Sequence, residues 1–432
     1  MKIEAPENDN YAARVVELKT INQLDNCDNV VQAVFDGYKA IIGKEHQPGE
    51  LGVYFSAETQ LSEEFASYNN QFRDENLNRD KTKSGYLENN RRVKALKFRG
   101  HESNALWFPI DSLEYIKGYK ELKPGDTFDK LNGHDICKKY TLPVKKGANL
   151  TQKNKVKSFS RVDKAFFPLH FDTDQYLRVR DSIPGDREIV ITQKLHGTSV
   201  RIANTLVSRK LNWKEKLAKR FGVPVQETEY DLVFGSRRVT KDINNPNQQH
   251  FYEADADGYD LWTQVGKEVG DVLPKGYILF GEIIGWTKNG APIQAGYTYQ
   301  LPQGQHELYV YRIAQINPQG RLVDLSWDQV KEFCSDSGLK YVPELGRGLH
   351  WDFVADDWLD KRYAEDLGLK QALPLEKSTK KNPIVDEGVV IRVEGLVPYC
   401  AKLKSPLFYE YETKQLDAEV VDLESAESVE EV

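Results

Sequence analysis

The sequence predicts an α+β chain in two parts: a small antiparallel β-barrel, then a larger domain built on an antiparallel-rich sheet. Three observations predict this. Residues 12–135 break into short alternating runs punctuated by glycine turns. Residues 162–409 mix apolar strand-like runs with a few helix-length segments. Between the two, Lys138 to Arg161 carries eight Lys/Arg and no acid, the composition of a linker rather than of a packed element. The expected boundaries are therefore 1–137, a basic linker at 138–160, 161–414, and an acidic disordered tail at 415–432. With 432 residues, 40% hydrophobic and 11% aromatic, the chain can fill two cores.

The first part reads as strands at Ala12 to Lys19, Val30 to Ile42, Leu51 to Phe55, Arg92 to Phe98 and Leu106 to Pro109. Val31-Gln32-Ala33-Val34-Phe35 and Val93-Lys94-Ala95-Leu96-Lys97-Phe98 alternate as half-buried strands do. Turns at Asp36-Gly37, Pro48-Gly49-Glu50 and Arg99-Gly100 suit a barrel of the OB type, and a β-sandwich would give similar periodicity. Ser56 to Arg91 is polar and rich in asparagine, which predicts a helix followed by a mobile loop.

In the second part, strands are expected near 187–193, 199–204, 231–236, 277–284, 307–313, 387–393 and 398–404. Helices fit Trp213 to Phe221, Gly258 to Val272 and Ser326 to Ser337. The organising stretch is Gln193-Lys194-Leu195-His196-Gly197-Thr198-Ser199, which joins two apolar runs. A lysine fixed between strands, with Gly197 allowing close approach of backbone and ligand, suits a covalent nucleophile aimed at phosphorus.

Composition narrows the function classes. No run is long and apolar enough to span a bilayer, and the N-terminus lacks the basic and apolar regions of a leader. Cys27, Cys137, Cys334 and Cys400 show no metal-ligand spacing, so reduced thiols and a cytoplasmic location are expected. The net charge is −7, yet the seven acids of Leu416 to Val432 account for all of it. Ser208 to Arg220 holds six Lys/Arg against Glu215 alone, a second basic block able to meet phosphates. Neither a dinucleotide-binding glycine motif nor a P-loop occurs. Asp255 to Asp260 faintly suggests a calcium loop but has Gly266 at the closing position, so a helix-start turn is expected. For Trp213 to Arg220, a phosphate-facing or solvated helix beside the active site fits better than a membrane-surface one.

Downstream, charged residues sit inside strands that otherwise call for burial: Ser236-Arg237, Glu282 in Tyr277 to Gly285, Glu387 in Asp386 to Arg392, and Lys402 with Lys404 on one strand face. Cations such as Lys402 and Lys404 would favour a neutral Lys194 and hold phosphate oxygens as charge builds. Glu387 would place a divalent ion, a hard cation that takes oxygen ligands. Glu282 and Arg237 would bond ribose hydroxyls, and Tyr309 or Tyr311 would stack on a base.

In order, Lys-Leu-His-Gly, Ser-Arg, Gly-Glu-Ile, Tyr-Arg-Ile, Glu-Gly-Val-Val-Ile and Lys-Leu-Lys resemble motifs I, Ia, III, IIIa, IV and V of the covalent nucleotidyltransferases, which include polynucleotide ligases and capping enzymes. The resemblance covers about residues 160–410. It implies a nucleotidyltransferase (ligase adenylation) domain in which ATP adenylylates Lys194. Arg237 and Glu282 would face the ribose, Tyr311 the adenine, Gln193 the adenine edge, Glu387 a Mg2+ or Mn2+ ion, and Lys402 and Lys404 the α-phosphate. Leu195 and Gly197 complete the nucleotide-contacting stretch.

Lys-x-His-Gly-Thr resembles nick-sealing RNA ligases more than DNA ligases, which mostly have Asp where this chain has His196. Only 28 residues follow Lys404, too few for the OB domain that DNA ligases and capping enzymes carry there. The barrel-like segment comes first instead, as in the RNA-ligase branch with an N-terminal OB module. Phe167-Pro168-Leu169-His170-Phe171-Asp172-Thr173 resembles the start of that branch's catalytic domain. The expected protein is an ATP-dependent RNA ligase, monomeric, acting on RNA or an RNA-containing duplex, with Tyr54, Phe98 and Trp107 as candidate stacking groups of the barrel. The alternatives are a capping-type guanylyltransferase and a non-catalytic RNA-binding protein of the same fold.

Overall fold

The apolar–polar alternation becomes strand pairing throughout a sheet-rich chain with few helices. The computed structural model describes residues 2–142, 161–170, 173–241, 259–355, 373–375, 385–395 and 397–419. Most of the basic linker, residues 255–258 of the calcium-like stretch and the tail from 420 lie outside those residues. Two compact units emerge, one within 1–143, 174–183 and 403–420, the other within 144–173, 184–402 and 421–432.

In the first unit, strands Thr127–Phe128, Ala13–Glu17, Leu51–Ser56 and Ala105–Pro109 pair in that order. Thr20–Gln23, Val30–Phe35 and Tyr38–Gly43 form a separate antiparallel sheet, the Asp36-Gly37 turn splitting what reads as one run. Lys39 N donates to Asn104 Oδ1 at 2.8 Å and Asn104 N to Lys39 O at 2.9 Å, linking that sheet to the Ala105–Pro109 strand. Among the described residues the pairings do not close into a ring. Val15, Val53, Phe55, Phe65 and Phe128 are fully buried at the centre. Of the candidate stacking groups, Tyr54 and Trp107 are buried and only Phe98 is exposed.

The asparagine-rich segment after Ser56 corrects the expectation of a mobile loop. Helix Glu63–Tyr68, capped by Ser62, is followed by turns folded around Asn78, which is fully buried. Its amide accepts from Phe72 N at 2.9 Å and donates to Phe72 O at 2.8 Å and Lys83 O at 2.7 Å. Phe72 and Leu87 then join the core. A buried amide that replaces strand partners orders a loop as a ladder would.

Helix Pro406–Asp417, with Ser405 as N-cap and proline at N1, also belongs to this unit. It extends past the expected start of a disordered tail at 415. Buried Arg92 donates to both Glu58 carboxylate oxygens, at 3.1 and 3.2 Å, to Thr413 O at 3.3 Å, and pairs with Asp417. Thr413 Oγ1 donates to Glu58 Oε1 at 3.0 Å. Burial pushes the Glu58 carboxyl up to about 7 against the opposing pull of Arg92.

The second unit carries two sheets. In one, Tyr399–Lys404, Gly388–Val393, Glu188–Lys194 and Glu344–Leu349 lie side by side. In the other the order is Thr240–Lys241, Thr228–Ser236, Thr198–Ser208, Tyr277–Gly285, His306–Ile316 and Leu322–Asp324. Ala203, Val233, Ile278, Phe280 and Ala314 share a buried face closed by Phe167. Against the opposite face lies helix Leu261–Val269, whose Gly266 leaves room for the Phe234 ring: a Cβ there would come within 2.5 Å of it. Helix Trp327–Asp336 falls within the expected Ser326 to Ser337, and Ser326 with Gln329 forms a capping box at its start.

Candidate active site

The two sheets of the second unit are joined where the lysine stretch runs from one to the other. Ile189 to Gln193 is buried without interruption, the pattern of a strand covered on both faces, and this fixes the strand that ends at Lys194. Lys194 pairs in register with Gly388, and four residues later Thr198 begins the next sheet opposite Ile283. Gly197 makes that crossing possible. A Cβ there would lie 2.2 Å from the Ile283 carbonyl oxygen and 2.9 Å from Ile284 Cγ2.

Two carboxylates hold the crossing from opposite sides. Glu387 is buried, one residue before the Gly388–Val393 strand, and its Oε1 lies 2.7 Å from Lys194 Nζ. His196 Nδ1 is 3.6 Å from the other oxygen of the same carboxylate. Glu282 faces Ser199 across the adjoining strands; its Oε1 accepts from Gly197 N at 3.0 Å and its Oε2 from Ser199 Oγ at 3.2 Å. Charge-assisted bonds of this kind each contribute about 1.5–3 kcal/mol. Buried Glu387 is thus matched to a cation and half-buried Glu282 to N–H and O–H donors, as the cost of withdrawing a carboxylate from water requires.

A second ring of contacts orients the loop. His196 N donates to Tyr299 OH at 2.7 Å, Gln294 Nε2 to Gly197 O at 3.0 Å, and Trp262 Nε1 to Ser199 O at 3.0 Å. The His196 ring sits edge-on to Tyr297, 4.7 Å between centroids. Burial raises the Tyr299 hydroxyl well above its ordinary range, so it stays a neutral partner. Gln193 is buried, donating to Asp386 Oδ2 at 3.1 Å and accepting from Leu373 N at 2.8 Å. Burial also pushes the Asp386 carboxyl up to about 7.

This arrangement presents a lysine amine at a rigid turn, facing a carboxylate able to exchange it for a metal ion. A family model described as RNA ligase matches residues 187–405, half of the chain and all of the strands just described. The chain belongs to the RNA ligase family. Solved structures of the Naegleria gruberi RNA ligase are similar in fold. The one with PPi shares 15% identity over 93% of this chain and 98% of that one, with a TM-score of 0.58. A mutant with ATP and Mn shares 16% identity over 92% and 98%, also at 0.58. A mutant with AMP and Mn shares 16% over 92% and 98%, at 0.56. No curated protein matches the sequence.

In this RNA ligase, Lys194, Gly197, Glu282 and Glu387 converge directly. Leu195 is buried beneath them. Arg237 follows the Thr228–Ser236 strand, half-buried, its carbonyl accepting from His170 N at 3.4 Å. Tyr311 is the extra residue of a bulge between Phe280 and Gly281 on the partner strand, its hydroxyl 2.5 Å from His170 Nε2. Tyr309 is buried, its hydroxyl on Glu307 at 2.7 Å. Lys402 lies two strands from Lys194 in the same sheet. Lys404, at the end of that strand, pairs with Glu412 at 2.5 Å within the first unit. Sequence reasoning missed Ser199, Trp262, Gln294, Tyr299 and Asp386. Ser199 has a legible signal, because strand alternation places it beside Glu282, but the Gln294–Tyr299 segment has no periodicity to reveal it.

Proposed function

We propose that this RNA ligase uses ATP and seals 5′-phosphate/3′-hydroxyl ends, most aptly nicks in duplexes whose 3′-hydroxyl strand is RNA. The observation that carries the reading is the Lys194–Glu387 pair at 2.7 Å, set on a turn locked by Glu282. Lys194 attacks the α-phosphorus of ATP, forming a P–N bond as pyrophosphate leaves. The AMP passes to the 5′-phosphate of the polynucleotide, and the 3′-hydroxyl then displaces it. All three are displacements at phosphorus, where positioning and electrostatics dominate the rate. Before the first of them the amine must shed its proton and part from Glu387.

The solved Naegleria structures that hold ATP or AMP with Mn support a nucleotide and a divalent cation here. Among the described residues no group of three or more His, Cys, Asp or Glu converges. The donor set still fits a hard cation that takes one carboxylate, Glu387, with phosphate oxygens and water. Such an ion supplies positive charge beside the lysine and the phosphate oxygens. Arg237 and Glu282 are assigned to the ribose, Tyr311 to the adenine, Gln193 to the adenine edge, Lys402 and Lys404 to the α-phosphate. In the structure the Gln193 amide is engaged at both ends, by Asp386 and by Leu373 N, and it would have to part from one of them to meet an adenine.

The domain plan proposed is an OB-like nucleic-acid-binding part, a basic linker, the adenylation domain and an acidic tail, working as a monomer in the cytoplasm. No helix among the described residues is long and apolar enough to cross a membrane. The test is sealing of matched nicked duplexes with RNA or DNA on either side of the nick. Sealing that requires RNA at the 3′-hydroxyl terminus supports the reading, and equal sealing of all-DNA nicks contradicts it.

A further inference from the structure

Helix Trp213–Arg220 is inserted between the antiparallel strands Thr198–Ser208 and Thr228–Ser236, and none of its residues is buried. Eight residues are too few for a helix to persist unaided in water. This one is held by its ends: Asn212 and Glu215 form a capping box, Arg209 pairs with Glu215 at 2.6 Å, and Lys219 with Glu227 at 2.6 Å. Its side chains are nevertheless apolar on one face. Trp213 is 71% exposed, Leu217 46% and Phe221 75%, and residues four apart share a helix face. Lys214, Lys216 and Arg220 flank that face, while the nearest acids, Glu215 and Glu227, are already engaged by Arg209 and Lys219.

We propose that this helix is a second RNA-contact surface, remote from the nucleotide site, on which Trp213 and Phe221 pack against the sugars of a duplex arm while Lys214, Lys216 and Arg220 take phosphates. The inference rests on the reading of the chain as an enzyme acting on RNA. Charge complementarity favours RNA as occupant, since interleaved aromatics and cations are what a polynucleotide strand meets. Placement gives the surface its task. Thr198 adjoins the lysine turn and the helix follows Ser208, ten residues on, so the two sites lie ~33 Å apart along one strand. At the 3.4 Å per base pair of B-form DNA that separation would be about ten base pairs, and in an RNA duplex, whose A-form rise is shorter, it is somewhat more than ten. A substrate whose arm reaches the helix gains its grip, and a shorter one does not.

The full-length protein, with Trp213→Ala/Phe221→Ala and Lys214→Gln/Lys216→Gln/Arg220→Gln variants, would be tested for binding to nicked RNA duplexes of graded arm length across a salt series. Lysyl-AMP formation and thermal melting would be followed in parallel. Each variant is expected to weaken binding about 10- to 100-fold on long arms only. The charge variant should also reduce the salt slope by about 2–3. AMP adduct formation and melting should stay at wild-type levels, because no altered side chain is buried. Unchanged affinity and salt slope on long arms would overturn the proposal. So would loss of binding to phosphatidylserine vesicles with RNA binding intact, which would make the face a membrane surface. If wild-type protein forms no AMP adduct yet the variants lose RNA binding, the surface stands and the ligase chemistry falls.

Discussion

Glu282 meets the turn rather than the lysine: one oxygen accepts from Gly197 N and the other from Ser199 Oγ. Glu282→Ala should therefore lower the rate of Lys194 adenylylation by about 100-fold or more, since small misplacements near reacting atoms are that costly. Glu282→Gln, which keeps one acceptor, should fall between the two; pre-steady-state labelling with radiolabelled ATP reads the difference. At Gly197 the constraint is steric. A methyl group 2.2 Å from the Ile283 carbonyl has no flexible neighbour to displace, so Gly197→Ala should cost about 1–3 kcal/mol in denaturant unfolding. Adenylylation should be lost with it. Lys194, Glu282 and Glu387 were legible in the sequence because charges embedded in buried strands need a reason. Tyr299 and Gln294 were not, because they reach the site from an irregular segment whose path only tertiary packing sets.

Strands were legible where alternation or continuous burial is strong, as from Ile189 to Gln193, and helices where a cap announces them, as at Ser326. Ser405-Pro406 is the same kind of start signal for Pro406–Asp417, set just ahead of an acidic stretch whose composition alone reads as a tail. That helix is anchored by Arg92, whose loss would leave Glu58 buried with its main counter-charge gone. Arg92→Met should destabilise the first unit by about 3–5 kcal/mol, measured by chemical denaturation. Glu58 also gives this element a pH signature. Its folded value of about 7 lies above the ordinary 4.5, so between those limits the folded state binds the extra proton. Stability from this group is complete below pH 4.5 and declines as pH rises towards 7, by up to about 3 kcal/mol. Melting temperatures of Glu58→Gln should lack that decline relative to wild type.

At the scale of the molecule, the net charge of −7 is a poor guide to the partner, because residues 1–415 sum to zero and the acids gather at the end. The order of charged motifs carried the family; the barrel did not, since among the described residues short strands with glycine turns pair into separate sheets without ring closure. The proposed chemistry turns on one amine at one turn, and intact mass measures it directly. Protein stripped of bound AMP would be incubated with ATP and a divalent metal, beside Lys194→Ala and a GTP lane. A single AMP adduct on wild type with ATP, absent from Lys194→Ala and from the GTP lane, is the predicted result. An adduct that persists in Lys194→Ala, or none with either nucleotide, would contradict the assignment of Lys194 as the nucleophile.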